Sequence, residues 1–162
     1  MEEHKRVLVI GGHGFIGCHV ANLLNKQGHT VGIVDSYRDY NHYWQHNVGE
    51  YAKVKPLRVE HAGKADVFNH DILDELGLEN TFAKFRPDVV IHLASCPNAK
   101  VFQYNAREET ETAVQGTLRV LEMCVKYGVH RFVLSSSSMV YGDFKVDELS
   151  LIHISEPTRR RG

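Results

Sequence analysis

Short apolar runs alternate with longer segments of helical periodicity along most of the chain. The runs are rich in valine, isoleucine and leucine and predict strands at residues 6–10, 30–34, 65–70, 88–94 and 131–134. Between them, apolar side chains recur every three or four positions, which predicts helices at 15–27, 73–85 and 105–127. Residues 36–58 are polar and aromatic without a clean period, so we expect a loop there with one helix around residues 43–51.

Strands that alternate with helices in this way form βαβ units, in which neighbouring strands run parallel. The run at 88–94 is almost entirely apolar, as expected of a strand with helices on both faces of its sheet. The pattern therefore predicts an α/β fold with a Rossmann-type, doubly wound parallel sheet. Right-handed crossovers place all the strand C-termini at one edge of such a sheet, and ligands bind at that edge.

A glycine-rich loop follows the first predicted strand and runs directly into the first predicted helix. Its glycines are spaced Gly11-x-x-Gly14-x-x-Gly17, and Gly12 and Gly14 leave open which glycine has which role. Backbone N–H groups and the positive end of the helix dipole meet at such a loop, where they favour a phosphate. Glycine-rich turns are common, and it is the position between strand and helix that indicates a pyrophosphate site.

Two aspartates follow predicted strands at the same edge. Asp35 lies 18 residues beyond Gly17, where a carboxylate can accept both hydroxyls of an adenosine ribose, or can simply be solvated. Asp35 would repel a 2′-phosphate, which favours NAD over NADP, although Arg38 is close enough to oppose that preference. Asp71 could bond an adenine amino group or cap the helix that starts at Leu73.

Composition excludes several classes of protein. The 162 residues carry a net charge of −1 with 43% hydrophobic and 24% charged residues, so no electrostatic case arises for nucleic acid or a membrane surface. The N-terminus enters a strand without the apolar stretch of a signal peptide, and no run is long enough to span a membrane. The three cysteines form no C-x-x-C pair, so we expect reduced thiols in a cytoplasmic protein.

The histidines do not predict a metal site. His42 and His46 have the i, i+4 spacing of half a zinc site, but no acidic or cysteine partner lies at a suitable offset. His13 lies inside the glycine loop, where it could contact phosphate or be solvated.

The motifs, taken in order, resemble the extended short-chain dehydrogenase/reductases, and within them the NAD-dependent epimerase/dehydratase family that acts on nucleotide sugars. The resemblance covers roughly residues 5–145, and the loop after Asp35 is most similar to that of sugar-nucleotide 4-epimerases, including those for UDP-glucuronate. The matching motifs are GGHGFIG at 11–17, Val34-Asp35, Asp71-Ile72, HLA at 92–94, Gly116-Thr117 and SSSSMVYG at 135–142.

The resemblance implies a role for each matching residue. Ser137 would be the catalytic serine that bonds the sugar hydroxyl, and Ser135 would lie beside the nicotinamide. Asp35 would hold the adenosine ribose, and Asp71 with Ile72 the adenine. The remaining implied contacts are with the pyrophosphate and the second ribose of NAD: Gly11, Gly14, Phe15, Ile16, Gly17, Leu93, Ala94 and Ser95.

The chain departs from the family at two places. The family's proton acceptor is the tyrosine of a Tyr-x-x-x-Lys pair on a long helix downstream of Ser137, and we reject Tyr141 with Lys145 as that pair, because a turn is expected there. The family usually has asparagine where this chain has Ala113, which puts turnover in doubt but not cofactor binding.

Residues 149–162 continue no element that the fold requires. They read as the in-frame translation of a transposase-based sequencing adapter, so we expect natural sequence to end near Glu148. Residues 1–148 would then be the N-terminal part of an NAD-binding domain with the first five strands of an incomplete sheet, and the substrate domain would be missing.

The sequence therefore predicts an NAD-binding fragment, itself inactive, of a nucleotide-sugar epimerase or dehydratase that oxidises and re-reduces a sugar hydroxyl. The partner of the intact enzyme would be a nucleotide sugar, and the enzyme could form a homodimer. Two alternatives remain open, namely another dehydratase or carbonyl reductase of the extended family and a dinucleotide sensor without turnover.

Overall fold

Five parallel strands form one sheet in the computed structural model, which describes residues 3–38, 50–96 and 105–137. The strand order is β3-β2-β1-β4-β5, and every neighbouring pair is parallel. This confirms the predicted doubly wound sheet, in which the chain starts at the centre, moves to one edge and then crosses to the other. The strands are β1 (Arg6–Ile10), β2 (Thr30–Val34), β3 (Asp66–Phe68), β4 (Val89–His92) and β5 (Arg131–Leu134).

Helices connect the strands, and capping residues mark where some of them begin or end. Gly28 follows the first helix with φ +83°, the left-handed conformation common just after a helix, and Asp74 caps the third through a bond from Gly77 N. A π-helical turn, Glu111–Gly116, joins the last two helices into one helical segment. The helices are α1 (Phe15–Lys26), α2 (Glu50–Ala62), α3 (Glu75–Phe85), α4 (Ala106–Thr110) and α5 (Thr117–Lys126).

The second helix is displaced from its predicted position. A loop was expected up to residue 58, whereas α2 begins at Glu50 and passes through Pro56. Its large apolar residues are mostly exposed, so the sequence lacks the three-to-four-residue apolar repeat of a helix that packs on a core. Tertiary contacts hold it instead, since Asn22 Nδ2 donates to His61 O at 2.6 Å and Asn25 Nδ2 donates to Ala62 O at 3.0 Å.

Helices cover both faces of the sheet, and successive residues of β1 point into the two resulting cores. Leu8 and Ile10 pack with side chains of α3 and α5, while Val7 and Val9 pack with Cys18 and Ala21 of α1. A shift of the β1 register by one residue would exchange these two sets, so the packing fixes the register. The fixed register in turn sets where the glycine loop leaves the sheet.

Several predictions concern residues outside the described ranges. His42, His46, Tyr141, Lys145 and the segment 149–162 all lie there, so their assignments stay predictions. Within the described ranges, no helix has the length and apolar character needed to cross a membrane. The three cysteines all lie in the described part of the chain, are buried and are not joined by a disulfide.

Candidate functional site

A cavity of about 490 Å³ lies at the C-terminal edge of the sheet. The loops after all five strands and the start of α1 contribute to its walls, as the predicted topology requires. The structure thus brings the predicted cofactor residues together around one space, while their contacts with a cofactor stay a prediction. Twelve of these residues line the cavity: Gly11, Gly14, Phe15, Ile16, Gly17, Asp35, Asp71, Ile72, Leu93, Ala94, Ser95 and Ser135.

The glycine loop brings the N-terminus of α1 against the end of β1. Gly11 has φ +81°, and a Cβ atom there would lie 2.8 Å from Ala94 N. A Cβ atom on Gly17 would lie 2.7 Å from the Cα atom of Gly12. Gly12 is buried against Ile33, where a Cβ atom would lie 2.7 Å from Cγ1, and is not among the cavity-lining residues. The two ambiguous roles are therefore separated, with Gly11, Gly14 and Gly17 facing the cavity and Gly12 packing on β2.

The start of α1 suits an anion. Gly14 is the N-cap residue and provides no side-chain cap, and the first turn contains no acidic residue. The first bond closing the helix runs from Cys18 N to Gly14 O at 3.1 Å, so the preceding N–H groups have no partner within the helix. These groups and the helix dipole present positive partial charge to the cavity, which fits the pyrophosphate of a dinucleotide.

Asp35 is fixed by two backbone donors. His13 N donates to Oδ2 at 2.9 Å, and Tyr37 N donates to Oδ1 at 2.8 Å. Each oxygen keeps acceptor capacity, since a carboxylate accepts about four hydrogen bonds. A half-buried carboxylate with both oxygens fixed at the cavity can accept the two hydroxyls of a ribose.

His13 is buried, so its interpretation as a solvated side chain was wrong, and it is not among the cavity-lining residues, so its contact with phosphate stays a prediction. It is 3% exposed, its Nδ1 atom lies 2.7 Å from the Tyr37 hydroxyl, and the two rings stack. Burial lowers the pKa of His13; the nearby charge of Asp35 opposes that shift, and Lys55 adds to it. His13 therefore joins the glycine loop to the loop after β2 as a neutral side chain near pH 7.

Asp71 is not the cap of α3. Its Oδ1 atom accepts from Leu73 N at 2.9 Å and forms a turn before the helix, while Asp74 is the N-cap residue. Ile72, beside it, packs tightly on the helical segment, because a Cβ atom on Gly116 would lie 2.7 Å from Ile72 Cγ1. This explains physically why glycine occupies position 116 and leaves Asp71 at the cavity wall.

Thr112 lines the cavity but was not identified from the sequence. The residue is 6% exposed, and its buried hydroxyl has no hydrogen-bond partner among the described residues. Ala113, at the position where the family usually has asparagine, has an exposed side chain. A π-helical turn changes which side chains face inward, and no local pattern in the sequence predicts one.

His92 is a buried side chain at the end of β4, next to the cavity. It is 1% exposed at the end of β4, and burial lowers its pKa to about 4, so the ring is neutral near pH 7. Its Nε2 atom lies 3.1 Å from the Thr117 hydroxyl, which ties β4 to α5 directly before the cavity-lining Leu93. The matching HLA and Gly-Thr motifs thus meet in space.

The serine run leaves β5 at the cavity. Ser135 N donates to His92 O at 3.1 Å, and Ser135 and Ser136 line the cavity. Ser137 is exposed and lies one residue beyond this lining, so its catalytic role stays a prediction. Arg38, Arg58 and Cys96 also line the cavity, and the sequence had indicated only Arg38 among them as relevant to the cofactor. Within the described residues, no three potential metal ligands come together.

The sequence is similar to those of known enzymes that act on UDP-sugars. The chain is 30% identical over 150 residues to UDP-glucuronic acid decarboxylase 1 of Danio rerio, covering 90% of this chain and 30% of that protein. It is 34% identical over 142 residues to UDP-glucose 4-epimerase of Caenorhabditis elegans, covering 84% of this chain and 39% of that protein. The chain therefore spans well under half the length of these relatives.

A solved structure shares the fold. UDP-glucose-4-epimerase from Stenotrophomonas maltophila, with bound NAD and formylated UDP-arabinopyranose, superposes with a TM-score of 0.70 at 27% identity, covering 90% of this chain and 41% of that one. The model of the NAD dependent epimerase/dehydratase family matches residues 7–160. This match spans nearly the whole chain, which therefore belongs to the NAD dependent epimerase/dehydratase family.

Proposed function

We propose that the cavity binds NAD and that the chain is the cofactor-binding part of an enzyme that transforms a nucleotide sugar. The observation that carries the proposal is the placement of the α1 N-terminus and the fixed Asp35 carboxylate on one cavity. The first suits a pyrophosphate and the second a ribose, which are adjacent groups of a dinucleotide.

When bound, NAD would accept a hydride reversibly from the sugar carbon that bears the hydroxyl. The chain's own residues bind and orient it. The α1 N-terminus holds the pyrophosphate, Asp35 the adenosine ribose and Asp71 the adenine, while Leu93, Ala94 and Ser95 hold the second ribose. Ser135 lies on the nicotinamide side, and Ser137 donates to or accepts from the substrate hydroxyl.

The substrate is proposed from the relatives. UDP-linked sugars appear in the names of the decarboxylase and the epimerases to which the chain is similar. We propose a UDP-sugar that is oxidised and then reduced again, as in a 4-epimerase, with a dehydratase or reductase of the same family as the second candidate. A dinucleotide sensor without turnover remains the alternative from another class, and Tyr-x-x-x-Lys in the intact protein would favour the enzyme.

We also propose that the intact protein is a cytoplasmic homodimer. Exposed apolar side chains recur at helical spacing along the segment that ends in α5, at Val114, Leu118, Leu121 and Val125. Such a stripe is typical of a surface that another helix covers. The three buried cysteines without a disulfide suit a reducing compartment.

Turnover of the intact protein tests this function. With NAD⁺ present, we expect it to convert UDP-glucose or UDP-glucuronate to the epimer or to a decarboxylated product, followed by nuclear magnetic resonance. Ser137→Ala should lower kcat at least about 100-fold, the usual contribution of an acid–base partner. The matched control is Thr110→Ala, since the Thr110 hydroxyl is exposed, donates to Ala106 O and lies outside the cavity lining.

Three results would contradict the proposal. They are turnover by residues 1–162 alone, unchanged kcat in Ser137→Ala, and no activity of the intact protein on any nucleotide sugar. Sedimentation of the same preparation at the mass of a monomer would contradict the dimer. Recovery of the protein from the periplasm or a secreted fraction of its source cells would contradict the location.

A further inference from the structure

Arg38 brings a positive charge to the part of the cavity that holds Asp35. It follows Asp35 by three positions and lines the same cavity. In dinucleotide-binding folds an arginine at this place accommodates the 2′-phosphate of NADP, whereas a carboxylate accepts the ribose hydroxyls of NAD. The loop after β2 therefore carries Asp35, which suits NAD, and Arg38, which suits NADP. The contacts of Arg38 then decide whether it is available to a 2′-phosphate.

Carboxylates from two other parts of the chain hold Arg38. Its Nη2 atom lies 2.9 Å from Glu108 Oε1, and its Nη1 atom lies 3.9 Å from Asp71 Oδ2. The Glu108 side chain is only 10% exposed, whereas that of Asp71 is 32% exposed. Because water screens exposed charges more than buried ones, the shorter and more buried pair with Glu108 is the stronger of the two.

Glu108 is itself fixed by the start of α4. The Asn105 side chain caps the helix, accepting from Glu108 N at 3.2 Å and donating through Nδ2 to Glu108 Oε2 at 2.9 Å. The other carboxylate oxygen, Oε1, is the one that pairs with Arg38. The cap therefore holds a buried carboxylate in place behind Arg38, outside the cavity lining.

Among the described residues, both side chains paired with Arg38 are carboxylates, and Lys55, a cation beside this loop, lies over the Tyr37 ring, 3.8 Å from its centre. The carboxylates of Glu108 and Asp71 lie 2.9 and 3.9 Å from the guanidinium nitrogens of Arg38, and the carboxylate of Asp35 lines the same cavity. Arg58 also lines the cavity, but its guanidinium lies 5.9 Å from the centre of the Phe15 ring, beside the α1 N-terminus. A 2′-phosphate carries a charge of up to about −2 and would have to compete with Glu108 for Arg38.

We propose that Glu108 is a positioning residue that makes the site selective for NAD over NADP. It pairs with Arg38, keeps the guanidinium turned to α4 and thereby denies a 2′-phosphate its counter-charge. The inference rests on the proposed function, since it concerns the choice between two forms of the cofactor proposed above.

Calorimetric titration of the 162-residue chain with NAD⁺ and with NADP⁺ tests this role. Glu108→Gln keeps the shape of the side chain and its bond with Asn105 but removes the charge. We expect its affinity for NADP⁺ to rise at least tenfold, with affinity for NAD⁺ within threefold of the wild type. In Arg38→Gln/Glu108→Gln the gain should vanish, which a merely structural effect of position 108 would not produce.

Glu111→Gln is the matched control, because it removes the same charge from the exposed Arg107–Glu111 pair on the adjoining turn. It should leave the ratio of the two affinities unchanged. An unchanged ratio in Glu108→Gln, or a gain that survives in the double variant, overturns the inference. A wild-type chain that binds neither dinucleotide overturns the proposed function and this inference with it.

Arg38→Gln gives a separate test should Glu108→Gln fail to fold, because the Arg38 side chain is 41% exposed. If Glu108 withholds Arg38 from a 2′-phosphate, the ratio of NADP⁺ to NAD⁺ affinity should change less than threefold in this variant. A fall in that ratio of tenfold or more would show that Arg38 already serves the phosphate, which overturns the inference.

Discussion

At the scale of single residues, the site depends on side chains that are fixed before a ligand binds. Asp35 accepts hydrogen bonds from His13 N and Tyr37 N, and the Tyr37 backbone adopts the left-handed region with φ +52°. The His13 ring holds the Tyr37 hydroxyl from the other side. A carboxylate held in this way loses little freedom on binding, so more of its interaction energy contributes to affinity.

Thr112 gives a prediction at this scale. Its hydroxyl is buried at the cavity without a partner among the described residues, which costs free energy in the unliganded protein. Thr112→Val should therefore leave the free energy of unfolding unchanged or raise it by up to about 1 kcal/mol. If NAD supplies the missing partner, the variant should bind NAD⁺ about fivefold more weakly, since a hydrogen bond contributes about 1 kcal/mol.

Chemical denaturation and calorimetry measure these two quantities. Thr110→Val is the control, since the Thr110 hydroxyl is exposed and donates to Ala106 O within the same helical segment. Equal NAD⁺ affinity in wild type and Thr112→Val would show that the hydroxyl does not contact the cofactor.

At the scale of elements, the sequence predicted the strands and loops that short-range patterns determine, and it missed the elements whose position depends on distant contacts. The glycine loop, β2 and β5 were predictable because glycine spacing and apolar runs are short-range patterns. The position of α2 was not, because asparagines of α1 hold its C-terminal end across more than 30 residues of chain. The π-helical turn before α5, which ends where Gly116 packs on Ile72, was not predicted either, because no periodicity in the sequence reveals such a turn.

Gly17→Ala tests how closely α1 must approach β1. Helix propensity alone favours alanine over glycine by about 1 kcal/mol. The added Cβ atom, however, would lie 2.7 Å from Gly12 Cα and closer still to Gly11 O. We therefore expect a net loss of about 1–3 kcal/mol in unfolding free energy, typical of overpacking, and at least a tenfold loss of NAD⁺ affinity.

Gly28→Ala separates this effect from general strain. Gly28 has φ +83°, and a Cβ atom there would have nothing within 4 Å. The substitution should therefore lower the free energy of unfolding by about 1 kcal/mol through the backbone conformation alone. Its NAD⁺ affinity should match the wild type. A Gly17→Ala protein as stable as the wild type and with equal affinity would contradict the close approach described here.

At the scale of the whole molecule, the chain places the proposed cofactor site at one edge of a five-stranded sheet. The sequence predicted the sheet, its edge and the residues around the cavity, because all strand C-termini must meet there in a doubly wound fold. It did not predict which of these residues bind one another. The Arg38–Glu108 pair joins positions 70 residues apart, and only the folded chain brings them within 2.9 Å.

Calorimetric titration of the wild-type chain and of Asp35→Ala with NAD⁺, ADP and 2′-deoxy-ADP tests the proposed dinucleotide site most directly. The wild type should bind NAD⁺ at one site, and Asp35→Ala should bind it more weakly by about 1–2 kcal/mol, roughly tenfold. The wild type should prefer ADP to 2′-deoxy-ADP, and the variant should not, while the exposed control Asp66→Ala should behave as the wild type. Equal NAD⁺ affinity in wild type and Asp35→Ala, or no binding of NAD⁺ by the wild type, would contradict the proposed site.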